Sequence, residues 1–197
     1  MKAVTKSADR SRRTRWTIAA AVAGVLAVAL LGAVATRSGQ TTPAAAATVA
    51  QVTGTGAQVG EQAPRVTATA LDTRQVALPA GKPSVVFFFA GWCGSCVPEA
   101  AALGELQRGH GNDVKIVAVS IDPGDTPETI GQFMQAAGSP GYPVVHDATD
   151  SIRAAYEVAS LDVTVVTDAD GKVVYRDAVP STLDQLQEGL RRAGLTV

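Results

Sequence analysis

The stretch Ser84-Val85-Val86-Phe87-Phe88-Phe89, followed within three residues by Trp92-Cys93-Gly94-Ser95-Cys96, decides how this chain is read. Six consecutive apolar or small residues, rich in β-branched and aromatic types, suit a strand buried on both faces. After the cysteines, Val97 to Arg108 carries Ala, Leu and Glu at helical spacing until Gly109, Gly111 and Asn112 interrupt it. The two thiols therefore fall where a central strand hands over to a helix. There, free backbone N–H groups and the positive end of the helix dipole favour a thiolate on the first sulfur. Cys93 is the expected nucleophile. Cys96, one turn further in, is the resolving thiol that closes the disulfide.

The pattern continues outward on both sides. Val66 to Leu71 and Gln75 to Leu78 read as a hairpin around Asp72-Thr73-Arg74. Downstream come a strand at Val114 to Ser120, a helix from Thr126 to Ala137 with Pro127 in its first turn, and a helix near Asp150 to Tyr156. Val163 to Thr167 and Lys172 to Arg176 flank the turn signal Asp168-Ala169-Asp170-Gly171, and Thr182 to Ala193 closes the chain as an amphipathic helix. The sum is an α/β fold: a mixed sheet sandwiched by helices.

The 197 residues carry 17 basic and 18 acidic side chains, a net charge of -1, which argues against a nucleic-acid partner. Two cysteines cannot build a disulfide framework or a four-thiolate metal site, and His110 and His146 show no ligand spacing, so no metal and no cofactor are expected. A permanent staple is the bland alternative, but closing so short a loop removes little chain entropy.

Charge does cluster at the start. Lys2, Lys6, Arg10, Arg12, Arg13 and Arg15 precede an uncharged apolar run from Trp16 to Thr36. Residues 1–15 are expected to stay in the cytoplasm, 16–36 to form a transmembrane signal anchor, 37–59 a flexible linker, and 60–197 the exported domain. Ala33-Val34-Ala35 has the form of a cleavage site, but the run is longer than a typical signal core of roughly 7 to 15 residues, which favours an uncleaved anchor. The expected location is the cell membrane, single-pass, with the catalytic domain outside the cytoplasm.

With these motifs in place, the chain from about Gly60 to Leu195 resembles the thioredoxin superfamily, in particular its anchored, exported TlpA/ResA-like branch. The resemblance is carried by Gly60-Glu61-Gln62-Ala63-Pro64, Gly81-Lys82-Pro83, Trp92-Cys93-Gly94-Ser95-Cys96, Val117-Ala118-Val119-Ser120, Pro143-Val144-Val145-His146-Asp147 and Asp170-Gly171-Lys172-Val173-Val174. It implies a thioredoxin-like fold with an inserted helix and strand. It implies an activity that keeps exported cysteine pairs reduced, often those of apocytochromes in cytochrome c biogenesis, with electrons from a membrane thiol transporter. Glu99 matches a glutamate that exchanges protons with the pair. A partly buried carboxyl there would have a raised pKa and could take the proton of Cys96. As an alternative, Glu99 only favours the first helical turn through the dipole. Trp92, Leu161 and Asp162 are expected at the docking surface.

The resemblance breaks at Leu161-Asp162, where Asp162 stands in place of the usual cis-proline. A cis bond before a non-proline costs about 3–4 kcal/mol, so a trans peptide is expected. An Asp162 carboxylate about 5 Å from Cys93 would raise the thiol's pKa and narrow the partner range; a solvent-facing Asp162 would not. Three other readings remain: a redox-inert binding domain, a copper-handling module, and a peroxiredoxin-like antioxidant. The copper reading lacks a histidine near Ser160 and the peroxidase reading meets Ala90 where a threonine is usual.

Overall fold

The computed structural model describes residues 50–197; the basic segment, the apolar run 16–36 and most of the expected linker lie outside them. Among the described residues no helix is long and apolar enough to cross a membrane. The strands are β1 (Gln51–Thr53), β2 (Arg65–Thr69), β3 (Gln75–Leu78), β4 (Ser84–Phe89), β5 (Lys115–Ser120), β6 (Val144–His146), β7 (Val163–Thr167) and β8 (Val173–Arg176). The helices are α1 (Val97–His110), α2 (Pro127–Ala136), α3 (Ser151–Ala155) and α4 (Leu183–Arg192), with a 3₁₀ turn at Gly94–Cys96 leading into α1.

Five strands form the main sheet in the order β6-β5-β4-β7-β8. β4 is its centre, parallel to β5 and antiparallel to β7, and all six of its residues are buried. Because side chains alternate along a strand, β4 feeds two cores. Val85, Phe87 and Phe89 point into one, with Leu103 and Leu106 of α1, Ile130 and Phe133 of α2, and Leu186 and Leu190 of α4. Val86 and Phe88 point into the other, with Ile152 of α3, Tyr156, and Val66 and Val76 of β2 and β3. Aromatic contacts tie each face: Phe89 stacks on Phe133 at 4.4 Å and Phe88 meets Tyr156 at 5.3 Å between ring centroids.

The sandwich therefore differs from the expected one on its second face. α3 shares that face with a separate three-stranded antiparallel sheet, β1-β2-β3. The segment expected to be linker up to residue 59 contributes β1, paired with β2 from Gln51↔Thr67 to Thr53↔Arg65. It continues into Gly56, whose N–H donates to the Ala155 carbonyl, and into buried Ala57. Main-chain pairing holds this segment, so its lack of large apolar side chains is no obstacle to order.

Local capping sets the helix starts. Thr126 and Thr129 form a capping box on α2, and Thr182 with Gln185 form one on α4. The β7–β8 hairpin turns through Gly171 at φ 85°, where a Cβ would come within 2.5 Å of the Pro79 ring, so both the backbone and the neighbour require glycine.

Candidate redox site

Cys93 and Cys96 close a disulfide with Cα atoms 5.4 Å apart, at the end of the central strand. The turn is built by Cys93 N–H donating to the Ala90 carbonyl at 2.9 Å and Cys96 N–H to the Cys93 carbonyl at 3.2 Å. Upstream, Gly91 N–H donates to Asp125 Oδ2 at 2.7 Å, and the same oxygen accepts the Ser120 hydroxyl. A Cβ on Gly91 would lie 3.1 Å from the Thr129 carbonyl carbon, so only glycine lets the loop pass this close to α2. Cys96 is fully buried and Cys93 is 5% exposed, which makes Cys93 the sulfur a partner meets first.

Trp92 is 69% exposed, and its indole N–H donates to Asp122 Oδ2 at 2.5 Å. That bond holds the exposed Asp122 carboxyl below the usual carboxylate range. Trp92 and Leu161 both line an open groove of about 260 Å³, together with Ile121, Pro123 and Ser160. The structure thus brings two of the three expected docking residues to one groove.

The third, Asp162, lies against the sulfur. Among the described residues the cis peptide is Leu78–Pro79, so Leu161–Asp162 is trans, and Asp162 itself adopts φ 56°. Its side chain is turned inward: the residue is 5% exposed, Oδ2 is 4.0 Å from Cys93 Sγ, and Oδ2 accepts the Ser95 hydroxyl at 2.9 Å. In the disulfide Cys93 has no proton to donate, so the 4.0 Å approach is a contact between sulfur and carboxyl. Oδ1 has no hydrogen-bond partner. Burial pushes the Asp162 carboxyl up, partly offset by Ser95, with the charge of Asp177 adding to the rise. The solvent-facing alternative for Asp162 is overturned by this packing.

Glu99 is fully buried in the first turn of α1. Oε1 accepts the Thr164 hydroxyl at 2.5 Å and Oε2 accepts the Ser181 N–H at 2.8 Å. Burial pushes its carboxyl up to about 7; the two hydrogen bonds oppose that, and the charges of Asp177 and Asp162 add to it. Ser95, Thr164, Asp177 and Ser181 escaped the sequence reading as site residues. Ser95 lies inside the quoted motif, where its closeness to Cys93 was the available signal; the others carry no motif.

The ligand atoms of Cys93, Cys96 and Asp162 lie within 4.8 Å of one another. With the sulfurs bonded to each other, they offer no thiolates to an ion.

A Redoxin family profile matches residues 58–190. Streptomyces lividans "Mercury resistance operon ORF3" is 35% identical over 131 residues, covering 65% of this chain and 69% of that protein. A thiol-disulfide oxidoreductase ResA of Bacillus cereus is 27% identical over 137 residues, covering 68% and 78%. The solution structure of a "putative protein disulfide isomerase" from Bacteroides thetaiotaomicron superposes with a TM-score of 0.59 at 27% identity, over 72% of this chain and 95% of that one.

The buried Glu99 makes stability depend on pH in a defined direction. Its folded pKa of about 7 lies above the ordinary 4.5, so between those values the folded state holds a proton that the unfolded state has released. This contribution is complete below pH 4.5 and is lost as pH rises to 7. Glu99→Gln removes the titration. Urea denaturation of the oxidised chain at pH 4.5 and pH 7 is expected to show the parent losing about 3 kcal/mol more than the variant over that interval. Equal losses in both would contradict the assignment.

Proposed function

The chain belongs to the Redoxin family and is a thiol:disulfide oxidoreductase of thioredoxin fold, and from that premise we propose that it acts outside the cytoplasm, tethered to the membrane, as a reductant of exported proteins with cysteine pairs. The observation that carries this reading is the Cys93–Cys96 disulfide at the end of β4, with Cys93 outermost and an open groove lined by Trp92 beside it. The basic start and the apolar run 16–36 support the tether.

In the forward direction the Cys93 thiolate attacks a partner disulfide, forming a mixed disulfide and expelling one partner thiolate. Cys96 then gives up its proton, with the Glu99 carboxylate as acceptor, and its sulfur attacks Cys93 Sγ. The second partner thiolate leaves. Two electrons have passed to the partner, whose two thiolates each take up a proton, and Cys93–Cys96 is oxidised. A membrane thiol-reductant transporter would return the pair to its dithiol form. Maturation of c-type cytochromes is one setting that needs such a reductant.

Electrostatics favour the reducing direction. A pair becomes strongly oxidising when its surroundings stabilise the thiolate and hence the reduced state. Here Cys93 Sγ lies 3.4 Å from the Ser95 hydroxyl and 4.0 Å from a buried carboxyl, that of Asp162. Two unit charges 4.0 Å apart repel by about 4 kcal/mol at an effective dielectric of 20, so a Cys93 thiolate and an ionised Asp162 oppose each other. Asp162 thereby raises the thiol's pKa and selects partners that tolerate an acidic docking edge.

Trapping tests the reading. Cys96→Ala is expected to accumulate a mixed disulfide through Cys93, and mass spectrometry of the captured protein names the substrate. Capture through Cys96 in Cys93→Ala alone would reverse the roles. For Asp162→Asn, the pH at which the reduced Cys93 is half-maximally alkylated is expected to fall by about one unit. An unmoved midpoint would remove the electrostatic role of Asp162.

A further inference from the structure

Behind the redox turn lies a second carboxyl. Asp177 follows the last residue of β8 and is half-buried. Its N–H donates to the Thr164 carbonyl at 3.1 Å, and its Oδ1 accepts the Thr164 N–H at 3.1 Å. Oδ2 accepts the Tyr175 hydroxyl at 2.6 Å and the Ser181 hydroxyl.

Two residues bridge Asp177 and Glu99 in opposite senses. Thr164 gives its backbone N–H to Asp177 and its hydroxyl to Glu99. Ser181 gives its backbone N–H to Glu99 and its hydroxyl to Asp177. Every donor of both bridging residues is thus spent on a carboxyl oxygen, which fixes the two acids relative to each other. The turn from β8 to α4 is held to the first turn of α1 directly by the Ser181–Glu99 bond and indirectly through Thr164 of β7.

We propose that Asp177 is a positioning residue for the redox reaction: with Glu99 it forms a coupled carboxyl pair, and its charge sets how readily Glu99 holds the proton exchanged with Cys96. This deepens the function proposed above and depends on its reading of Glu99. The reasoning is geometric and electrostatic. A carboxyl that must take a proton from a thiol near neutral pH has to bind protons more tightly than an ordinary glutamate. Burial supplies part of that, while the donors on Glu99 work against it by favouring the ionised form. A second negative charge, held at fixed distance by shared donors, restores the balance.

The other titratable groups facing Glu99 do not supply an opposing charge. They are Asp162 before β7, Tyr175 on β8 and Tyr142 before β6, whose phenol donates to the Ala100 carbonyl. No Lys, Arg or His shifts Glu99 itself, while Arg176, the residue before Asp177, interacts with the Asp177 charge. Asp177 differs from Asp162 in being tied to Glu99 by bridging residues and in sitting at the half-exposed end of β8.

Carbon-detected NMR of the Glu99 carboxyl in the oxidised full-length chain reads the coupling directly, because the cysteines do not titrate in that state. Glu99→Gln identifies the resonance. Asp177→Asn is expected to lower the Glu99 midpoint by roughly half a unit to one unit. Tyr175→Phe removes a donor from Asp177 without removing its charge, so the Glu99 midpoint should not fall in that variant. An unmoved midpoint in Asp177→Asn, or an equal fall in Tyr175→Phe, would overturn the proposal; if Asp177→Asn does not fold, a fall in Tyr175→Phe alone overturns it. A parent and a Glu99→Gln variant that exchange disulfides at the same rate would instead remove the proton role given to Glu99, and the midpoints would still decide whether the carboxyls are paired.

Discussion

The junction of β4 with α1 is the constraint on which the rest depends. A strand buried on both faces cannot move without disturbing two cores, and a helix packed on one of them cannot slide. Between these fixed ends the chain has seven residues, Ala90 to Cys96, in which to turn. Hydrogen bonds from Gly91 to Asp125 and from Cys93 to Ala90 leave the turn little freedom, and the two sulfurs meet as a result. Bond making and breaking can then occur at Cys93 while the scaffold stays in place.

Around that turn the protein has gathered carboxyls. Asp162 touches the outer sulfur, and Glu99 lies buried in the first turn of α1 with Asp177 bridged to it through Thr164 and Ser181. In a cationic setting the same cysteines would be stabilised as thiolates, and the pair would tend to oxidise its partners. In this one, the Asp162 carboxyl opposes negative charge on the outer sulfur while the helix start favours it. The fold is common to oxidising and reducing pairs, so it does not by itself fix the direction of electron flow.

The parts of the structure legible in the sequence were those whose signal is local. β4 announces itself by six apolar or small residues in a row, α1 by its spacing and terminating glycines, and the β7–β8 hairpin by Asp168-Ala169-Asp170-Gly171. β1 escaped because Gln-Val-Thr is held by main-chain bonds to β2, and β6 because three residues carry no period. At the site, Cys93, Cys96 and Glu99 share one short stretch and were found together. The partners of Glu99 lie 65 and 82 positions away, at a Thr inside an apolar strand and a Ser in a turn, where neither residue type stands out. Asp162 was legible only as a departure from a family pattern; its inward orientation required the fold.

The central claim is that Cys93–Cys96 is a working two-electron couple and not a fixed staple, and equilibration of the full chain across a dithiothreitol redox series, with alkylation of free thiols read by mass spectrometry, tests it most directly. The account predicts one reversible transition in which both cysteines become alkylated together, at a potential more reducing than that of an oxidising, low-pKa pair. A disulfide that stays closed across the series, or that opens only when the chain unfolds, would contradict it.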